Sequence, residues 1–407
     1  MESRVQDAAV AALPADFIRD PYPYFAQKRG EGGVFHGTVV DYSKTPESLR
    51  PKNSFAAVSF DAVNKAFRDG QVFSSTYYDN TIGLFIGPSI LAMEGKKHRE
   101  HRNLVSAAFK SKALARWEPA IVRPICNALI DEFIDAGQAD LVRNFTFEFP
   151  TRVIAQLLGL PAEDLPEFRR RAVQLINYTI KYERAFEASA ALKDYFLDHI
   201  EQRKAKPTDD IIGDLVTAEI DGEKLSDEAI YSFLRLLLPA GLETTYRSSG
   251  NLLYLLLTHP EQLAMVQQDR SLIPAAIEEG LRYETPLVMV MRTTTEEVEV
   301  SGQTIPANAQ VDLCMGSANR DESRWKDANV FDIRRPRQGH ISFAGGIHMC
   351  LGMHLARMET RVMLNSLLDR APDLALIADD GTGEECKIVG PIFRSPNKLP
   401  VTFTPVS

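Results

Sequence analysis

Apolar positions recur at helical spacing over most of the chain from about Lys97 to Thr258, and strict alternation is confined to short stretches elsewhere. This pattern predicts a mainly α protein with a small β region. Ser54 to Phe60 reads as strand, and Val288 to Leu313 reads as a small antiparallel meander with a turn at Ser301-Gly302 and a break at Pro306. Further β-rich pieces are expected near 35–60 and 385–405. The longest helical pattern opens at Ser226-Asp227-Glu228, an N-cap residue followed by an acidic first turn, and runs to about Thr258. Roughly 32 residues at about 1.5 Å each would span some 48 Å, so this helix must cross the molecule. Pro239 lies inside it without an N–H to donate, which leaves the Arg235 carbonyl without its usual partner and predicts a kink. Thr244 is placed to bond back to the Ala240 carbonyl, opening the helix there.

No repeat, flexible linker or low-complexity tract divides the 407 residues, so residues 1–407 are read as one unit. The 46 basic and 55 acidic side chains give a net charge of −9, which offers nucleic acid no global attraction. Cys126, Cys314, Cys350 and Cys386 form no C-x-x-C pair, arguing against a disulfide framework or structural zinc and for a reducing compartment. The start lacks the apolar core of a signal peptide, and no apolar span is long enough for a membrane anchor, so a cytoplasmic location is expected. Walker A, G-x-S-x-G, H-E-x-x-H and G-x-G-x-x-G patterns are missing. Asp209-Asp210 lacks the third carboxylate of an aspartate-rich metal motif and reads as an acidic helix start.

The informative segment is Phe343-Ala-Gly-Gly-Ile-His-Met-Cys350-Leu-Gly352, which leads into a helical pattern. Gly345, Gly346 and Gly352 permit positive φ and close backbone approach to a flat ligand. The helix start is expected to favour a thiolate at Cys350, either as a soft metal ligand or as a nucleophile. His348, two positions away on a tight loop, is a poor base for that cysteine, and a buried structural cysteine stays open as an alternative. Glu243 and Thr244 place a carboxylate and a hydroxyl beside the helix break, an arrangement suited to moving protons, although Glu243 could equally sit in a structural ion pair. Glu279 and Arg282 are three apart on one helix face. His98 and His101 could pair on a metal, but no third ligand is evident nearby.

The F-x-x-G-x-H-x-C-x-G pattern resembles the haem-ligand loop of the cytochrome P-450 family, and A-G-x-E-T at Ala240 to Thr244 resembles the oxygen-binding groove of that family's central helix. Ala344 departs from the pattern where many members carry glycine. The resemblance implies a mainly α triangular prism with a long kinked central helix over haem, and a single haem-thiolate domain without a fused reductase or ferredoxin. It implies Cys350 as iron ligand, with His98, Arg102, Arg292 and His348 as partners of the haem propionates. Phe343, Gly352, Ala240 and Gly241 would contact the cofactor, iron protoporphyrin IX. It assigns Thr244 and Glu243 to proton delivery, and places Arg335 with Glu279 and Arg282 in a buried charge triad. Leu237, Ala240, Val288, Val290 and Phe393 would line the pocket for a hydrophobic small molecule, with Ile82 to Ile90 as a lid.

The implied reaction inserts one atom of O2 into a C–H bond. Electrons would come from NAD(P)H through a separate ferredoxin and ferredoxin reductase, docked on a patch that includes Lys110, Lys112 and Arg357. A peroxide-driven oxygenase of the same fold and a haem-based binding or sensing protein are the alternatives.

Overall fold

The computed structural model describes residues 16–40, 50–51, 53–176, 182–220 and 222–404. The helices that position the site are α1 (Gly95–Ser106), α2 (Tyr182–Ala205), α3 (Asp227–Leu237), α4 (Thr244–Thr258), α5 (Ile273–Tyr283) and α6 (Met353–Arg370). A five-stranded sheet is built from β1 (Val34–His36), β2 (Ser54–Ala57), β3 (Phe73–Ser74), β4 (Val290–Thr294) and β5 (Gln310–Leu313), in the order β1-β2-β5-β4-β3. The mainly α reading with a small β region holds.

Two details differ from the alternation pattern. The stretch from 288 to 313 is not one meander. Val298–Val300 and Gln303–Ile305 close on each other around Ser301 (φ 49°) and Gly302 (φ 75°), while β5 pairs antiparallel with β4 and parallel with β2. The parallel partner comes from the far N-terminal part, which local alternation cannot register. The early strand also stops at Ala57, because Ser59 accepts the Ala62 N–H and opens a helix at Phe60.

Ser226 caps α3 as expected, its hydroxyl accepting from the Ala229 N–H at 3.2 Å. Every residue of α3 from Ile230 to Leu237 is buried, which marks a helix enclosed on all sides. The kink expected at Pro239 takes the form of a π-helical segment, Leu238–Glu243, that joins α3 to α4 without a break in the chain's path. The missing donor is accommodated by widening the turn, the usual setting of a π-bulge.

The segment leading to the cysteine loop is fastened by charge. Arg282 Nε and Nη2 each donate to Glu279 at 2.7 Å, and Arg335 Nε reaches the same carboxylate at 3.2 Å. Arg282 also donates to the carbonyls of Asn319 and Ala328, and Arg335 to those of Asp327 and Val330. Glu279 and Arg282 are buried, so each charge depends on the others. Replacing Glu279 by alanine strands two guanidiniums and should cost about 3–5 kcal/mol of stability, read from denaturant unfolding.

Candidate active site

The cysteine loop is a tight backbone structure. The Cys350 N–H donates to the Phe343 carbonyl at 2.9 Å, and the Met349 N–H donates to the Gly346 carbonyl at 3.2 Å. Of the three glycines that permit positive φ, only Gly346 adopts it (φ 65°); Gly345 is extended and Gly352 sits at φ −84° as the cap of α6. The second left-handed position is Ala344 (φ 58°), where a side chain carries the strain a glycine would avoid. A Cβ on Gly346 would lie 2.0 Å from the Phe67 carbonyl oxygen, so no other residue fits there.

Burial pushes the Cys350 thiol above its ordinary pKa, while the N–H groups of Gly352 and Met353 and the charges of Arg102 and Arg357 pull it down without prevailing. The helix start favours the thiolate, as expected, while burial opposes it. A coordinating metal would tip the balance, since it deprotonates a thiol outright.

Around this loop stand basic groups of which only His348 approaches a carboxylate, with Nε2 3.9 Å from Glu94. His98 on α1 is buried, its ring 4.4 Å from that of His348, and Nε2 of both rings has no hydrogen-bond partner. His98 is driven down to about 4 by burial, then by His348 and Arg102. Arg102, one turn further along α1, donates to the Met349 carbonyl of the loop. Arg292 is buried on β4 over the Phe67 ring at 5.8 Å, bonded only to the Met291 carbonyl at 2.8 Å, and no carboxylate pairs with it among the described residues. Buried donors left in this condition are costly unless an anionic ligand meets them. A cysteine on this loop with these donors nearby fits an iron porphyrin with two propionates. His98 and His101 do not converge: His101 Nδ1 lies 3.0 Å from the Lys97 carbonyl, and no group of three or more metal-ligating side chains occurs among the described residues. Asp210 caps the Gly213 N–H and pairs with Arg203, while Asp209 pairs with Arg116, so that acidic pair is structural.

On the central helix the Thr244 hydroxyl donates to the Ala240 carbonyl at 2.7 Å, and Ala240 itself is exposed. Gly241 is turned the other way: a Cβ there would lie 3.2 Å from Ile154 Cδ1, so this glycine serves helix packing and not the groove. Glu243 is buried and ion-paired with Arg247, whose Nη1 donates to Ser395 at 2.9 Å and whose guanidinium lies 5.5 Å from the Phe393 ring. Arg247 was not singled out from the sequence, although a Glu followed four residues later by Arg is a legible helix pair.

Leu237 is buried, and Val290 and Phe393 are half-buried. Val288 does not join them. It is fully buried in the core formed with Phe17, Tyr22 and Phe25, close behind Gly316 and two residues before β4 begins. Lys110 and Lys112 are exposed, but Arg357 is held by Glu278 at 2.7 and 2.8 Å and stacks 4.5 Å over Phe343, so its charge is already spent inside the fold.

The signature described as Cytochrome P-450 matches residues 168–370. The monooxygenase PikC of Streptomyces venezuelae is 33% identical over 403 residues, covering 97% of this chain and 94% of its own length. The chain belongs to the cytochrome P-450 family. Among solved P-450 structures, CYP109Q5 from Chondromyces apiculatus superposes with a TM-score of 0.87 at 33% identity, covering 97% of this chain and 98% of that one. CYP109E1 from Bacillus megaterium, in complex with testosterone, does so at 0.83 and 30% identity, covering 94% and 99%. This P-450 is a haem-iron monooxygenase, an oxidoreductase that incorporates oxygen from O2. No helix among its described residues is long and apolar enough to cross a membrane.

Two outcomes follow from the loop. Ala344→Gly relieves a left-handed alanine and should raise stability by about 0.5–1 kcal/mol, measured by denaturant unfolding of the haem-loaded enzyme. Burial raises Glu278, but hydrogen bonds from Arg357 and His340 prevail and hold it at about 2. Its folded pKa is depressed, so its contribution is fully present above the ordinary 4.5 and fades as pH falls towards 2. Glu278→Gln should flatten the acid limb of the stability profile in that window; an unchanged limb would contradict the assignment.

Proposed function

We propose that this P-450 inserts one oxygen atom from O2 into a hydrophobic small organic molecule, chiefly as a hydroxylation, with iron protoporphyrin IX held through Cys350. The observation that carries the reading is the group of basic side chains His98, His348 and Arg292, gathered with Arg102 near the cysteine loop, of which only His348 approaches a carboxylate, Glu94 at 3.9 Å. When bound, the haem supplies oxygen activation; the chain supplies the ligand sulfur, the anion partners, the proton path and the walls. Phe343, Gly352 and Ala240 would hold the cofactor.

In the proton path, the Thr244 hydroxyl gives up its bond to the Ala240 carbonyl and hands a proton into the site. Glu243, ion-paired with Arg247, resupplies it. Leu237, Ala240, Val290 and Phe393 are the pocket residues. An apolar pocket favours a hydrophobic substrate, and the relatives include a vitamin D(3) 25-hydroxylase and a structure bound to testosterone.

Electrons come from NAD(P)H through a ferredoxin and its reductase, separate proteins. The nearly full-length match to PikC supports one catalytic unit over residues 1–407. Lys110 and Lys112 remain the exposed basic residues proposed for docking, without Arg357. All four cysteines are unpaired, which suits a reducing cytoplasm. The Glu243-Thr244 acid and alcohol pair favours an O2-dependent enzyme over a peroxide-driven one.

The reduced carbon monoxide complex should show the strongly red-shifted Soret band of thiolate ligation, and Cys350→Ala should abolish it. Thr244→Ala should retain that band while product formed per NADPH falls roughly tenfold or more and hydrogen peroxide rises to match. Unaltered coupling in this variant would remove Thr244 from the proton path. Wild-type protein that shows the band but forms no oxygenated product with electron supply and O2 would point to the sensing alternative.

A further inference from the structure

The central helix carries a second buried cation that the proton path does not use. Arg235 on α3 is 6% exposed, and no carboxylate pairs with it among the described residues. Its Nη1 donates to the Ser189 hydroxyl at 2.6 Å and the Ser189 carbonyl at 3.3 Å, its Nη2 donates to the Ile86 carbonyl at 2.8 Å, and its Nε has no partner. Ser189, on α2, donates its own hydroxyl to the Phe85 carbonyl. Both carbonyls belong to the one-turn helix Gly83–Ile86, whose C=O groups cannot be met inside so short an element. A cation is the favoured partner for that end of a helix. Next to it, Gly87 (φ 78°) runs so close to α3 that a Cβ would lie 2.8 Å from Ser232 Oγ and 3.1 Å from Arg235 Nη2.

The charge is an expensive way to join three elements. A guanidinium bonded only to neutral acceptors is desolvated without a counter-charge, and an apolar side chain of similar size would be no less stable there. What the guanidinium adds is position. The segment it grips starts beside β4, where the Tyr78 hydroxyl accepts the Met291 N–H at 3.2 Å, and returns at Glu94, which accepts the Ser75 N–H at 2.5 Å. Between these ends it reaches across to the central helix at Arg235, nine residues before Thr244. It therefore forms a wall between the strand that carries Arg292 and the helix that carries Thr244. The outer edge is apolar: Leu84 is 45% and Phe186 is 43% exposed, and the rings of Phe85 and Phe186 lie 4.5 Å apart.

We propose that Arg235 is a specificity-determining positioning residue, which pins the Gly83–Gly87 turn to α2 and α3 and thereby fixes the size of molecule admitted to the haem face. The proposal rests on the haem-thiolate reading and adds the anchor of the wall.

Arg235→Met removes every donor while keeping length and burial, and Ser189→Ala is a milder variant that loosens the same joint if the first fails to fold. With haem-loaded enzyme, imidazole and 4-phenylimidazole serve as small and large probes, followed by the spectral shift of nitrogen ligation. Both variants should bind 4-phenylimidazole faster, by roughly tenfold for Arg235→Met, with little change for imidazole. Deuterium uptake at residues 83–87 should rise in parallel, and Arg235→Lys should restore most of the discrimination. Equal factors for the two probes, or unchanged uptake at 83–87 in both variants, overturn the proposal. Wild-type enzyme lacking the thiolate carbon monoxide band would instead overturn the haem-thiolate reading, so the two failures are told apart.

Discussion

The Phe67 carbonyl occupies the space that a side chain at residue 346 would need, 2.0 Å from where its Cβ would stand. That backbone contact locks the helix at Phe60–Arg68 onto the cysteine loop, and much of the site is arranged from it. Arg292 reaches the loop's neighbourhood over the Phe67 ring, and His348 lies in the short turn that Gly346 begins. The same turn directs Cys350 out of the loop, through the N–H bond to the Phe343 carbonyl. Removal of a single side chain thus allows a sheet-bearing region and a helix-bearing region to share one ligand surface.

Buried charge in this protein takes two forms. Glu279 with Arg282 and Arg335, and Glu284 with Arg320 and Arg394, are closed sets in which every guanidinium finds a carboxylate. These hold the chain in place and would be left unsatisfied by loss of any member. His98, His348 and Arg292 form an open set, in which only His348 approaches a carboxylate, Glu94 at 3.9 Å. Arg235 stands between the two, its charge spread over backbone carbonyls and one serine. The distinction separates what maintains the fold from what binds, and each set differs from the others by the presence or absence of one carboxylate.

Much of this could be read in the chain before any coordinates, for a physical reason. Cys350 with its glycines, Glu279 with Arg282, and Thr244 with Ala240 are local relations, set by helical or loop spacing within ten residues, and they stand in the structure as spacing requires. Arg335 lies further off but in a stretch whose register is short. Failures came where a partner was remote in sequence or where a side chain's direction decided its role. Nothing near Val288 tells that its face turns to Phe17 and Phe25, nor does anything near Gly346 announce Phe67. Gly345 and Gly352 have the freedom of glycine without using it, while Ala344 uses that freedom without being glycine. At the Cys350 thiol the pull of the helix start is a local feature legible in the chain, whereas the opposing burial depends on everything around it.

The π segment at Leu238–Glu243 has an arithmetic side. A π turn takes up about one residue more than an α turn, so α3 and α4 are offset in phase by about 100° relative to one uninterrupted α-helix. A chain shortened by one position there would keep the same caps and the same apolar composition, yet would swing Thr244 and everything after it to another side. The aim of the hydroxyl is thus encoded in a count of residues as much as in their identity. Sequence comparisons that score only substitutions are blind to that count, whereas a single-codon deletion would expose it.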